Sequence, residues 1–263
     1  MTTVADILKY VETLAPTYMK MDWDNVGLLC GSRETPVTKG LVALDPFEGV
    51  CREAVEWGAE LIVTHHPIIF DPLKSVTEET TVGRSIMTLC RHGISAVNAH
   101  TNLDCAPGGV NDVLAATLGL NDVETIPPFF RDDQGRQWGL LRRGRVEEQP
   151  LSQFLEIVKS SLNAEGLRYV DGGKPVRVVA VGGGHCSDEL MSAFEAGCDT
   201  FVTADIKYND FWDAQALGMN LIDAGHFATE NPVVAVLAEK IAAAFPEVQV
   251  KISETHRDCM KFY

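Results

Sequence analysis

Three short stretches of the chain concentrate nitrogen and oxygen donors. They are VTHHPIIF with His65 and His66, NAHTNLD with His100 and Asp104, and LIDAGHFATE with His226 and Glu230, and together they hold four of the seven histidines. Imidazole and carboxylate donors without thiolate suit zinc, iron, manganese or nickel. So few protein ligands cannot saturate two ions, which would leave open positions for water. Each stretch alone has a plainer reading. His65 and His66 could be solvated or capping loop histidines, and Asn102 or Asp104 could cap a helix beginning near Val110. His226 and Glu230, spaced i and i+4, could be a surface pair on one helix face. The metal reading rests on the three stretches occurring together.

All three donor stretches follow strand-like runs. Such runs are read at Gly40 to Asp45, Leu61 to Thr64, Ser95 to Ala99, Val176 to Val181, Thr200 to Thr203 and Asn220 to Ala224. Helix-length segments ending in glycine separate most of them, with Gly58, Gly93, Gly197 and Gly218 each just ahead of a strand. The chain opens with Val4, Ile7, Leu8, Val11 and Leu14 at helical spacing, closed by Pro16. The pattern predicts an α/β protein of strand, crossover helix, strand units, whose functional side chains emerge at the carboxyl ends of the strands. The three donor stretches are expected to open at one edge of a sheet.

A short internal repeat adds to this. Glu56 to Thr64 (EWGAELIVT) and Glu195 to Thr203 (EAGCDTFVT) align without gaps, and the next strands read HGISAVNAH and LGMNLIDAG. Two related units would produce it, as would convergence of any helix, glycine, buried strand element. The turn-rich stretch Pro127 to Arg136 is the best candidate for a domain boundary.

Length and composition set the outer limits. With 263 residues, 46% hydrophobic and 22% charged, the chain can bury a large core or two smaller ones. No apolar run approaches a membrane span and the N-terminus lacks a signal-peptide pattern, so a cytoplasmic location is expected. The seven cysteines are scattered without a C-x-x-C pair, which predicts reduced thiols. A net charge of −15 argues against nucleic-acid backbone binding as the main activity.

The chain resembles the type 2 GTP cyclohydrolase I homologues, the Nif-three-like family of dinuclear-metal proteins. The likeness runs in order through DNVGLLCGS (Asp24 to Ser32), VTHHPIIF, NAHTNLD, TADIKY (Thr203 to Tyr208) and LIDAGHFATE. It implies two related α/β domains, with the metal site in the cleft between them and a homohexameric ring as the usual assembly. The bounds expected here are 1–124 plus 219–263 for the first domain and 125–218 for the second. The resemblance also carries over His65, His66, Asp104, His226 and Glu230 as ligands of two divalent ions, with Asp104 as the bridge. At 263 residues the chain is expected to lack the inserted domain of some relatives. It departs from the family pattern at Ala204, where glycine is usual, at Asn209, where histidine is usual, and in GGGHC (Gly182 to Cys186).

Two functions are consistent with such a site. The first is a metal-dependent hydrolase acting on a nucleotide or related small molecule, with hydroxide as nucleophile and His100 as acid, base or orienting group. The second is a non-enzymatic metal-binding regulatory or interaction protein. An anion site at the Gly182 to Gly184 loop, ahead of a helix capped by Ser187, is a third option, although it lacks a P-loop lysine.

Overall fold

The computed structural model describes residues 1–133, 135 and 137–263. Of the expected boundary stretch Pro127 to Arg136, Gln134 and Arg136 lie outside these described residues. The chain divides into two compact units, Met1–Leu103 with Val234–Arg257, and Asp104–Val233 with Asp258–Tyr263.

The first unit begins with α1 (Val4–Leu14), whose N-terminus is closed by a reciprocal capping box between Thr3 and Asp6. Then follow β1 (Gly27–Cys30), β2 (Lys39–Ala43), α2 (Glu48–Trp57), β3 (Leu61–Thr64), α3 (Thr81–Arg91) and β4 (Ser95–Asn98). The sheet order is β1-β4-β3-β2, with one further strand beyond β2 from the C-terminal part of the chain. The strands β2, β3 and β4 are parallel and in register, Ala43 beside Thr64 and Thr64 beside Asn98. Antiparallel β1 pairs Gly27 with Asn98. Parallel strands packed on both faces read as continuous apolar runs, which is why LIVT stood out in the sequence. Cys30, Leu41, Val50, Ile62, Leu89 and Ile94 are among the residues that bury this core.

The division falls inside α4 (Thr101–Cys105), between Leu103 and Asp104. The second unit continues with α5 (Val110–Thr117), β5 (Asn121–Thr125), β6 (Phe130–Arg131), β7 (Gln137–Trp138), β8 (Arg142–Gln149), α6 (Leu151–Ser161), β9 (Arg168–Val170) and β10 (Val176–His185). After these come α7 (Leu190–Glu195), β11 (Thr200–Ala204), α8 (Tyr208–Leu217), β12 (Asn220–Asp223) and α9 (His226–Glu230). The six-stranded sheet has the order β5-β8-β10-β11-β12-β9. Here β10, β11 and β12 are parallel, and β9 runs antiparallel to β12. Phe154, Val179, Val202 and Ile222 bury one face of this sheet, and Phe201, Ala180 and Leu221 the other. Finally α10 (Pro232–Ala244) carries the chain into β13 (Gln249–Ile252), which joins the first sheet parallel to β2.

The architecture is mixed α/β, as the strand and helix pattern predicts. Two expectations are corrected. The donor stretches do not share one sheet edge: His65, His66 and His100 follow β3 and β4 of the first sheet, whereas His226 follows β12 of the second. The expected domain bounds also move. Residues 104–124 belong with the second unit because β5 pairs with β8, and residues 219–233 do so because β12 pairs with β11. No helix among the described residues is long and apolar enough to cross a membrane.

Candidate functional site

In the first unit, register brings the donors together. Because β2, β3 and β4 are parallel neighbours, the residues just past their carboxyl ends, Asp45, His65, His66 and His100, emerge along one edge. The antiparallel β1 returns Asp24 to the same edge. His65, His66 and His100 each offer a ring nitrogen, and these lie within 4.8 Å of one another.

Each of these imidazoles is held at Nδ1 by an oxygen. The His65 Nδ1 is 3.0 Å from the Ala99 carbonyl, His66 Nδ1 is 2.6 Å from Asp45 Oδ1, and His100 Nδ1 is 2.8 Å from Asp24 Oδ1. A proton held on Nδ1 by an acceptor leaves Nε2 as the lone-pair nitrogen, the tautomer that a metal ion requires. The Asp24 side chain is fully buried. Burial alone would raise its pKa, but hydrogen bonds from His100 and Thr101 outweigh it and hold the carboxyl at about 2. Asp24 is therefore a carboxylate behind His100 at any physiological pH. Trp23 and Phe70, both exposed, set their ring edges against His100 at centroid distances of 6.2 and 6.1 Å.

In the second unit the donors are mainly acidic. Asp104, on α4, and Glu230, at the end of α9, are both buried, with carboxylate oxygens within 4.8 Å of each other. His226 opens α9, and its Nε2 is 3.1 Å from Glu230 Oε2 across one helical turn. The His226 Nδ1 is held by Asp205 Oδ2 at 2.7 Å. Cys186 lies close enough for Asp104 and Glu230 to act on it. Burial first, then these two charges, push its thiol well above the ordinary range. It remains a thiol, donating to the Gly183 carbonyl at 3.2 Å, rather than a thiolate ligand.

The glycine loop is shaped around this pair. A Cβ on Gly184 would stand 2.2 Å from Glu230 Oε1 and 3.0 Å from His226 Nε2, and its φ of +61° favours glycine as well. Such a cradle, with nitrogen and carboxylate donors converging beside it, fits a divalent ion. It does not fit the anion site considered for the Gly182 to Gly184 loop. The Gly183 N–H donates to Asn111 Oδ1 at 2.7 Å and the Gly184 N–H to Thr229 Oγ1 at 3.0 Å, so both are already committed. Nor does Ser187 provide a side-chain cap, since it lies within a 3-10 turn ahead of α7.

The plainer reading of the NAHTNLD stretch is also settled. The α5 helix has no side-chain cap; Asn102 instead accepts from the His100 N–H at 2.8 Å and donates to the Ala15 carbonyl. Ala204 is buried in β11 and Asn209 is exposed on the first turn of α8. Sequence reading missed Asp24, Asp45 and Asp205 as supports for the imidazoles. It also missed Asn111, which joins the Asp104 carbonyl to the Gly183 N–H. Asp45 closes the apolar run GLVALD and Asp205 follows FVTA directly, so a carboxylate at a strand end was the available signal.

Comparison with known proteins agrees across the chain. The sequence profile described as Duf34/NIF3 (NGG1p interacting factor 3) matches residues 2–259. A Clostridium perfringens protein named GTP cyclohydrolase 1 type 2 homolog is 36% identical over 262 residues, covering 98% of both chains. A Streptomyces coelicolor protein of the same name is 36% identical over 240 residues, covering 88% of this chain and 83% of its own. Among solved structures, a Bacillus cereus protein related to NIF3 superposes with a TM-score of 0.91 at 27% identity, covering 100% of this chain and 99% of its own. Reduced HcgD from Methanocaldococcus jannaschii gives 0.80 at 25% identity, covering 96% and 98%.

Proposed function

The chain belongs to the Duf34/NIF3 family, and from that premise we propose that it is a metal-dependent hydrolase of nucleotides or related small molecules. Two divalent ions per chain would be held by His65, His66, Asp104, His226 and Glu230, with Asp104 serving both. The observation that carries this reading is the uniform support of the imidazoles: His65, His66 and His226 each have Nδ1 engaged by a carbonyl or carboxylate oxygen, which directs Nε2 to a ligand. Divalent ions so held supply Lewis acidity, acidifying water toward neutrality and polarising a carbonyl or phosphoryl oxygen.

His100 is the protein's own acid–base group. Asp24 keeps the proton on Nδ1, so Nε2 is the atom that takes up and returns a proton during turnover. The name shared by the curated relatives makes GTP the first substrate to try. The protein works in the cytoplasm as a ring of six chains.

Metal analysis after loading with zinc, iron, manganese or nickel, followed by hydrolysis assays on GTP and other phosphoesters, tests the reading. The expected result is two ions per chain, no sulfur ligand by X-ray absorption, and turnover that disappears on chelation. One ion or fewer at saturation, or a sulfur ligand, overturns the site. The hexamer is expected at six times the 28.7 kDa chain mass by sedimentation. A second reading, a metal-binding interaction protein, draws on the family's description as an interacting factor. It is favoured if His100→Ala leaves every measurable property of the metal-loaded protein unchanged.

A further inference from the structure

The support behind His66 does not end at Asp45. The other oxygen of that carboxylate, Oδ2, lies 3.2 Å from Nε2 of His256, a residue 190 positions along the chain whose side chain is 3% exposed. Asp45 thus stands between two imidazoles, one oxygen to each. Burial alone would raise its pKa, but the hydrogen bonds from His256 and His66 hold it well below the usual carboxylate range.

His256 is itself set in place by the sheet. β13 pairs parallel with β2, Ile252 beside Val42, so the residues after Ile252 run beside Ala43 to Asp45. Glu53 then collects this segment. Its carboxylate accepts from Ser253 Oγ at 2.6 Å, from the Glu254 N–H at 3.0 Å, and from the Thr255 N–H and Oγ1 at 3.1 and 2.8 Å. The His256 N–H closes the turn onto Ser253 Oγ.

We propose that Asp45 and His256 are positioning residues for the metal ligand His66, so that the segment after β13 sets metal affinity through the Asp45 carboxylate. An imidazole is a good ligand only while its ring plane and its Nδ1 proton are held, and a carboxylate does this best when its own second oxygen is fixed. His256 fixes it. The proposal rests on the metal reading above, and it adds two residues that touch no ion.

The test compares His256→Ala, His256→Gln, Asp45→Asn and the double variant Asp45→Asn/His256→Ala. Zinc affinity is measured by competition with a chromogenic chelator, the ligand field by the visible spectrum of the cobalt form, and stability by melting of the metal-free protein. Expected are a loss of about 10-fold in zinc affinity for His256→Ala and up to about 100-fold for Asp45→Asn. The double variant is expected to be no weaker than Asp45→Asn, because His256 acts through Asp45. The His256→Gln amide still offers an N–H and restores most of the affinity and the cobalt spectrum, a rescue that a purely structural role would not give.

Wild-type affinity and spectrum in His256→Ala overturn the proposal while leaving the metal reading intact, and so does additivity in the double variant. Should His256→Ala fail to fold, His256→Gln and Asp45→Asn decide: equal weakening in both, matched by an equal fall in metal-free melting, is a structural effect and overturns it. A wild-type protein that takes up neither zinc nor cobalt removes the metal reading first, and the proposal with it.

Discussion

The strands β1-β4-β3-β2 of the first sheet and β9-β12-β11-β10 of the second are one arrangement made twice, three parallel strands flanked by an antiparallel one. The short repeat seen in the sequence lies at the same place in both, running into β3 and into β11. Thr64 pairs with Asn98 as Thr203 pairs with Asp223. What differs is the handful of residues past each strand. His65 and His66 in the first unit correspond to Ala204 and Asp205 in the second, and His100 corresponds to Gly225. The first frame therefore presents three imidazoles, two with carboxylates behind them and His65 with the Ala99 carbonyl. The second presents one imidazole, His226, and the buried carboxylate of Glu230, with Arg168 paired to Asp223; the other buried acid of this unit, Asp104, comes from α4. A shared frame fixes where side chains emerge, while the chemistry is chosen by a few loop residues that cost the fold little.

The largest expected effect separates the two donor groups. Asp104→Ala removes a buried anionic donor, and divalent metal affinity should fall by more than about 100-fold, with both ions lost. His100→Ala should keep the ions with affinity weakened by about 10 to 100-fold, while turnover drops further. Metal content and turnover measured side by side on folded variants check this. Retention of both ions in Asp104→Ala removes its bridging role, and loss of both in His100→Ala makes His100 a ligand.

A second contrast uses glycine. Gly184→Ala drives a methyl into Glu230 Oε1, whereas Gly93→Ala in the first unit shares the positive φ but meets nothing within 4 Å. Urea unfolding should show about 2 to 4 kcal/mol lost for Gly184→Ala and about 1 kcal/mol for Gly93→Ala. Equal losses would mean that Glu230 yields freely and that the cradle is not rigid.

The parts of this molecule legible in sequence are those buried on both faces. The runs before His65, His100 and His226 were visible because parallel central strands are continuously apolar. By contrast, β5 is almost wholly exposed and β8 reads RRGRVEEQ, so neither shows a strand's apolar signature. Without those antiparallel strands the extent of the second sheet, and the place of β12 in it and not in the first, could not be read. The donors were legible for a similar reason, since they directly follow strong strands. Their supports were not: Asp45 meets His66, and His256 meets Asp45, through strand order, which brings together residues 21 and 211 positions apart.

Glu53 gives the next effect in size, and it belongs to the first unit alone. Burial would raise its pKa, but donors from Ser253, Glu254 and Thr255 outweigh it and hold the carboxyl at about 2, below its ordinary 4.5. A depressed carboxyl stabilises the fold fully above about pH 4.5, and that contribution is lost as pH falls toward 2. A shift of this size corresponds to on the order of 3 kcal/mol. Glu53→Gln should lower stability at pH 7, and the gap from wild type should narrow through that acid window. A gap that is constant down to pH 2.5 would show that Glu53 contributes by shape rather than charge.

The smallest effect reports which unit an added ion reaches. Trp23 lies 6.2 Å, centroid to centroid, from His100 and packs on Phe70 at 5.7 Å, whereas Trp212 belongs to α8 in the second unit. Nickel or cobalt bound at His65 and His66, whose rings lie 5.2 and 5.5 Å from that of His100, is expected to quench Trp23 emission. The loss should not exceed the share of Trp23 among the chain's four tryptophans. It should vanish in Trp23→Phe and persist in Trp212→Phe. His100→Ala should leave the quenching in place if that imidazole is the proton carrier and not a ligand. Quenching that is kept in full in Trp23→Phe would place the ion away from the three imidazoles of the first unit.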